Sequence, residues 1–378
     1  MNSPSSESSS TTRRIAWSNL LDQLAPLIGL AATYGLFAAL KGYDFYKWEN
    51  TQLLMLHTAV VGIAALGATM IIVSGGIDLS VGSNIALVSV VIALMLEKGF
   101  SPVIAALTGV ATGGLVGLAI GSMVVGHVGR VAAVIFGGLT MLWTWNYGWY
   151  AALPLGAVVF AALLAGNELG LGRLRLAPFI VTLGLWSALR GVAKGLADNK
   201  AIYPPSSWLN DLMKIPGGDS AWMQLSPGVW LFIFLSILMA AALRYTRFGR
   251  HVFAIGSNEQ TARLCGIHVE RTKVMIYVVA LLLAGIAGVL QYSKLTIGDP
   301  NTAKVYELKV IAAVVIGGAS LTGGVGTIRG TVIGALIMTV VDNGCTKVGM
   351  ENWVQEIITG GIIVAAVTLD QLRHRRIT

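Results

Sequence analysis

The chain has 378 residues, of which 55% are hydrophobic and 12% charged, with a formal net charge of +8. Soluble domains carry about a quarter charged residues, so this composition, with a mean hydropathy of +0.74, excludes a soluble fold with a polar surface. No compact basic domain hosts the positive charge, which argues against a nucleic-acid partner.

Residues 1–20 open with MNSPSSESSSTTRR and read as a disordered Ser/Thr-rich tail. No small-residue cleavage site follows Arg13 and Arg14, so the first apolar run is expected to be retained. Apolar runs then recur at 24–40, 53–73, 81–96, 102–126, 131–147, 149–166, 177–197, 227–243, 272–296, 308–320, 325–341 and 353–369. In lipid only helices and closed barrels satisfy the backbone, and the alternating strands of a barrel are missing. The expected fold is therefore all-α: a polytopic helical membrane protein with about 10–12 transmembrane helices, some short or discontinuous. Residues 21–372 make up this domain, and 373–378 form a basic tail. Many of the 46 glycines fall inside the runs, as expected where helices approach closely in a membrane.

Two glycine-rich breaks repeat a theme, MIIVSGGIDLSVGSNIAL at 70–87 and AAVVIGGASLTGGVGTIRGTVIGAL at 312–336. They read either as discontinuous helices beside a substrate site, where freed backbone groups meet a polar ligand, or as close-packed turns. Asp78 and Asp342 are the carboxylates nearest the apolar spans, and charge at membrane depth is expensive. The preferred reading is the plainer one, with Asp78 capping the helix that starts near Ser80 and Asp342 in an Asp-Asn-Gly turn. The Gly/Ala-rich runs 101–122 and 151–172 resemble one another, and an inserted helix pair at about 101–150 would leave the downstream topology unchanged.

Trp143, Trp145, Tyr147, Trp149 and Tyr150 suit an interfacial belt. Arg190 and Lys194 either snorkel to the interface or line a path. The segment from Asp198 to Ser226, with its prolines and tryptophans, suits a docking surface for a soluble partner or a plain connector. Arg244 to Lys273 is a basic, largely polar stretch between apolar spans; from Asn258 to Cys265 it can form a short amphipathic helix ended by Gly266, a surface for a soluble partner to push on. Arginines gather in this loop, at Arg13 and Arg14, and at Arg373, Arg375 and Arg376, whereas segments assigned to the other side hold only lysines. Both termini are therefore expected in the cytoplasm.

Phosphate-binding loop, metalloprotease and nucleophile-elbow motifs are all missing, and five scattered histidines offer little to an enzyme, so no catalytic residue and no cofactor is expected. Cys265 and Cys345 fall on opposite sides of the expected topology and have no metal-type spacing, so no metal site is expected.

GGIDLSVGS at 75–83, APFIVTLGLWSALRG at 177–191, FAIGSNEQTARLCGIHVERTK at 253–273 and YELKVIAAVVIGGASLTGGVGTIRGTVIGAL at 306–336, in this order, resemble the permease subunits of bacterial ABC importers for monosaccharides. The ribose, xylose and arabinose permeases are the nearest group. Asp342-Asn343-Gly344 and the VERTK stretch at 269–273 are most similar to the xylose members. The resemblance implies two permease chains paired as a homodimer in the inner membrane, amid membrane lipid. It further implies a cytoplasmic ATP-binding (ABC) subunit on each chain and a periplasmic sugar-binding protein that delivers the cargo, without a cofactor. Asn258, Glu259, Ala262, Arg263 and Gly266 then match the helix that couples to the ATPase. Asp78, Ser80, Ser83, Asn84, Ser320, Thr322 and Asn343 become candidates for lining the substrate path. The sequence departs from the family at Lys309, where an acidic residue is usual, at Asn167-Glu168, and in the length of 101–150. Competing readings are a permease for nucleosides, furanosyl signals or branched-chain amino acids, and an ion-coupled secondary transporter.

Overall fold

The computed structural model describes residues 7–144, 148–168, 177–217 and 223–375. Among the described residues the regular elements are helical, apart from an isolated antiparallel bridge between Ile202 and Gly298. In chain order the helices are α1 (Glu7–Lys41), α2 (Tyr43–Tyr46), α3 (Trp48–Val73), α4 (Val81–Glu97), α5 (Pro102–Val124), α6 (Val128–Thr144), α7 (Trp149–Glu168) and α8 (Pro178–Leu196). After a 3-10 turn at Trp208–Asp211 come α9 (Pro227–Tyr245), α10 (Arg247–Ser257), α11 (Glu259–Leu264), α12 (Val269–Leu295), α13 (Tyr306–Ile316), α14 (Ile328–Val348) and α15 (Asn352–Arg375).

Each apolar run of the sequence coincides with one of these helices, and the protein is a polytopic all-α membrane protein. Among the described residues seven helices are long and apolar enough to cross a membrane, with α4 and parts of α6, α7 and α15 forming shorter apolar helices. α1 begins at Glu7, inside the segment whose composition suggests a tail. The 11 residues of α13 give a length of about 16 Å, roughly half of a hydrocarbon core about 30 Å thick. It is too short to cross a membrane and stops at the second glycine break.

α3 is apolar on every side, and a helix of that kind belongs in the interior. Its spanning segment is 94% buried, and α9, α12, α13 and α14 surround it. Glycines set how closely the inner helices approach. On α5, Gly113, Gly117 and Gly121 face α12; a Cβ at Gly117 would stand 2.5 Å from the Tyr277 carbonyl oxygen. Without those side chains the backbones meet along a stripe, which is how apolar helices gain packing energy in lipid. This seating also corrects the expected insertion at 101–150: α5 belongs to the core, and the outlying pair is α6 with α7, which pack on each other while α6 touches α5.

Residues 342–344 do not form the expected turn. They lie inside α14, which continues to Val348 and ends on Gly349 with φ 86°. Gly344 packs directly on the Phe37 ring, so a close contact with α1 carries the helix through a sequence that is turn-like in isolation.

Candidate functional site

The 244–273 stretch folds into a two-helix elbow. Thr246 caps α10 by accepting a hydrogen bond from the Gly249 amide at 3.2 Å. α10 was not expected from the sequence; it buries Gly249, Val252 and Ile255 on one face. Asn258 caps α11, its side chain accepting from the Thr261 amide at 2.9 Å. α11 ends in a Schellman motif: the Ile267 amide donates to the Ala262 carbonyl and the Gly266 amide to that of Arg263. Gly266 takes φ 81° there, a left-handed conformation that suits glycine. Lys273 pairs with Glu259 at 2.7 Å, and Arg263 lies 3.6 Å from Glu259 and 3.5 Å from Glu270. Ala262 is buried among Ile255 and Val269 and anchors the elbow. Leu264, 88% exposed, points away from it. Of the five expected contact residues, then, Asn258, Ala262 and Gly266 build the elbow, Glu259 and Arg263 form its ionic surface, and Leu264 adds an exposed apolar side chain beside them.

The two glycine breaks meet each other at this elbow. The Gly324 amide donates to the Val73 carbonyl at 2.8 Å. A Cβ on Gly323 would stand 2.8 Å from the Gly256 carbonyl oxygen of α10 and 3.1 Å from Gly75. Gly256, Gly75 and Gly323 thus bring the elbow and both breaks into backbone contact. Ser320 and Thr322 share a hydroxyl hydrogen bond of 2.8 Å, and Ser320 reaches Asp370 of α15 at 3.4 Å. Asp78 accepts from both the amide and the hydroxyl of Ser80 at 2.7 Å; it thus holds Ser80, the residue at the N-cap of α4, in a turn before the helix and does not cap the helix as expected. Burial lifts this carboxyl to about 6, against the lowering effect of the two Ser80 hydrogen bonds.

A second polar centre forms where the starts of α4 and α13 meet, beside the middle of α8. The Ser83 hydroxyl donates to the Trp186 carbonyl at 2.7 Å, and the Trp186 indole N–H donates to Glu307 Oε1 at 3.1 Å. One turn further along α8, Arg190 donates to the carbonyls of Pro300 and Thr302 at 3.0 and 2.6 Å, and the Gln291 amide donates to the Thr302 hydroxyl at 2.7 Å. Arg190 therefore neither snorkels nor stands free; it holds the connection between α12 and α13. Asn84 donates to the Leu281 carbonyl of α12 at 3.3 Å.

The expected path residues do not gather in one place. Asp78, Ser80, Ser83 and Asn84 line the start of α4, Ser320 and Thr322 sit in the second break, and Asn343 lies apart on α14, accepting from Asn50 at 3.2 Å. Glu307 and Trp186 were missed as site residues, because the hydrogen bond that joins them spans 121 positions of the chain. Lys309, the departure seen in the sequence, pairs with Asp342 at 2.6 Å. Of the aromatic group, Trp145 and Tyr147 lie outside the described residues, while Tyr150 is exposed. Among the described residues no group of His, Cys, Asp and Glu could hold a metal ion.

Residues 126–367 match the family model described as branched-chain amino acid transport system / permease component. The chain is 32% identical over 359 residues to the ribose import permease protein RbsC of Escherichia coli (strain K12), covering 95% of this chain and 96% of that one. RbsC of Bacillus subtilis (strain 168) is 30% identical over the same shares. The L-arabinose ABC transporter permease protein AraH of Azospirillum brasilense is 30% identical, over 88% of this chain and 83% of its own. No solved structure gives a significant match.

Proposed function

This chain belongs to the family of permease components of branched-chain amino acid transport systems, as a multi-pass transport subunit of the inner membrane rather than an enzyme, and we propose that it imports a monosaccharide. The cargo is a pentose such as ribose or xylose. Full-length similarity to ribose and arabinose permeases supports the sugar class. Two copies pair in the membrane with both termini in the cytoplasm, a separate ATP-binding subunit docks on the elbow, and a periplasmic binding protein delivers the sugar. Asp78, Ser80, Ser83, Asn84, Ser320, Thr322 and Asn343 are proposed to line the route.

The observation that carries this reading is the contact of α10 with both glycine breaks. A soluble subunit gripping α11 through Leu264, Arg263 and Glu259 moves α10 with it. Gly256 passes that motion to the end of α3 and to the second glycine break by direct backbone contact. Packed elements of this sort have discrete arrangements, which is what alternating access needs.

The test is uptake of labelled ribose, xylose, arabinose and leucine into proteoliposomes holding this chain with its ATP-binding subunit and its binding protein. ATP-dependent uptake of one pentose, lost when any component is left out, is the expected result. Uptake of leucine alone moves the cargo to the amino-acid branch of the family, and uptake without the ATP-binding subunit overturns the reading.

A further inference from the structure

Glu307 is a carboxylate where carboxylates are costly. It stands in the first turn of α13, a helix about 16 Å long that ends at the second glycine break within the membrane domain. It is 7% exposed. One of its oxygens, Oε1, accepts from the Trp186 indole, while Oε2 is buried with no side-chain donor, the carboxyl otherwise facing the backbone amides of its own residue and of Val305. An ionisable residue buried inside a membrane domain is a functional site by default, and a buried carboxyl short of side-chain donors carries a desolvation cost that a further partner would relieve. Oε2 packs where a side chain at position 82 would stand, beside the Ala303 carbonyl: a Cβ on Gly82 would collide with that oxygen, so glycine is what lets the carboxyl reach the start of α4. Trp186, which holds the other oxygen, is 39% exposed.

An acceptor with a spare lone pair beside an indole ring has the chemistry of a sugar site. The carboxylate accepts hydrogen bonds from hydroxyls, and the ring covers an apolar C–H face. The arrangement is also held in place. Ser83 fixes the Trp186 backbone, and Arg190 ties the neighbouring turn of α8 to Pro300 and Thr302. That connection carries Thr296, Ala303 and Val305 at positive φ, conformations that non-glycine residues adopt only under constraint from their surroundings.

We propose that Glu307, oriented by Trp186, is a specificity-determining residue of the permease, its Oε2 accepting a hydroxyl of the passing monosaccharide. The proposal rests on the sugar-import reading and adds the residue that reads the cargo inside the membrane. In the present conformation Gly82 and the 296–305 connection close over the oxygen; cargo meets it in a conformation in which α8, with the connection it holds through Arg190, has moved off the start of α4.

The experiment compares wild type, Glu307→Gln and Glu307→Asp in proteoliposomes with the same ATP-binding subunit and binding protein. Each is given the transported pentose and its monodeoxy analogues. Because one binding protein delivers every sugar, the ratio of variant to wild-type uptake isolates the permease. Loss of a hydroxyl hydrogen bond to a charged group corresponds to about tenfold or more. Glu307→Gln is expected to lower uptake of the full sugar by about that factor. The deficit should largely vanish for the one analogue that lacks the recognised hydroxyl, a pattern that a structural role would not produce. Equal deficits across all analogues, or none, overturn the proposal. Glu307→Asp, which keeps the carboxylate but withdraws it by one carbon, should show the same analogue pattern. If neither variant assembles, Glu307 is structural and the proposal falls. If wild type carries no monosaccharide, the sugar-import reading falls and this one with it; the wild-type and variant rows therefore separate the two failures.

Discussion

Lys309 and Asp342 illustrate how one charge explains another. They stand 33 positions apart, on α13 and α14, with 2.6 Å between ammonium and carboxylate and roughly a quarter of each side chain exposed. An ion pair this sheltered is held by its partner more than by water, and removing one member strands the other. Lys309→Met is expected to destabilise the protein by on the order of 2 kcal/mol, read as a lower thermal midpoint in detergent. Asp342→Asn should do the same. The charge exchange, Lys309→Asp with Asp342→Lys, should recover most of the loss, since coupling between contacting residues is what a double-mutant cycle measures. Additive losses in the double variant would show that the pair is incidental. The sequence displayed both residues, and Lys309 stood out as a departure from the family. Their partnership was hidden because Asp-Asn-Gly is turn-like locally, whereas the packing of Gly344 on Phe37 keeps α14 intact.

At the scale of elements, hydrophobic runs placed the membrane helices well, because an apolar stretch in lipid has few alternatives to a helix. α10 was less visible. RFGRHVFAIGS is rich in polar residues, and its apolar positions Phe248, Val252 and Ile255 mark a narrow face that only the surrounding helices reveal as buried. α11 was legible from its asparagine cap and terminal glycine, both of which act locally. The role of α11 is testable through Gly266. Proline there cannot adopt φ 81° and has no amide hydrogen for the bond to Arg263. Gly266→Pro is expected to abolish uptake, either by uncoupling ATP hydrolysis from it or by preventing assembly, and normal uptake would refute the coupling role. Leu264→Asp leaves the elbow's internal bonds alone and should weaken co-purification of the ATP-binding subunit; unchanged recovery would move the docking surface elsewhere. The polar centre around Glu307 was the least legible part. Its members come from α4, α8 and α13, and only tertiary packing brings them together.

For the whole molecule, the question is how force at one end becomes motion at another. The shortest route runs through Gly256, where α10 touches the end of α3 and the second break at once. Any side chain at this position must displace the Val73 carbonyl or the Gly324 amide, the two groups whose hydrogen bond joins the breaks at 2.8 Å. Gly256→Val should therefore push α10 off the membrane helices while leaving α11 and its exposed Leu264 in place. The expected outcome is a complex that still assembles and hydrolyses ATP but takes up cargo about tenfold more slowly or worse. Gly361→Ala is the matching control, because a Cβ there meets nothing within 4 Å and alanine favours a helix over glycine by up to about 1 kcal/mol. That variant should transport like wild type. If Gly256→Val also transports normally, the elbow is not the lever, and coupling must reach the breaks through α9 or α12, which join the elbow from its two sides. If instead it abolishes ATP hydrolysis along with uptake, α10 belongs to the docking surface itself, and the boundary between grip and lever lies one helix further into the membrane.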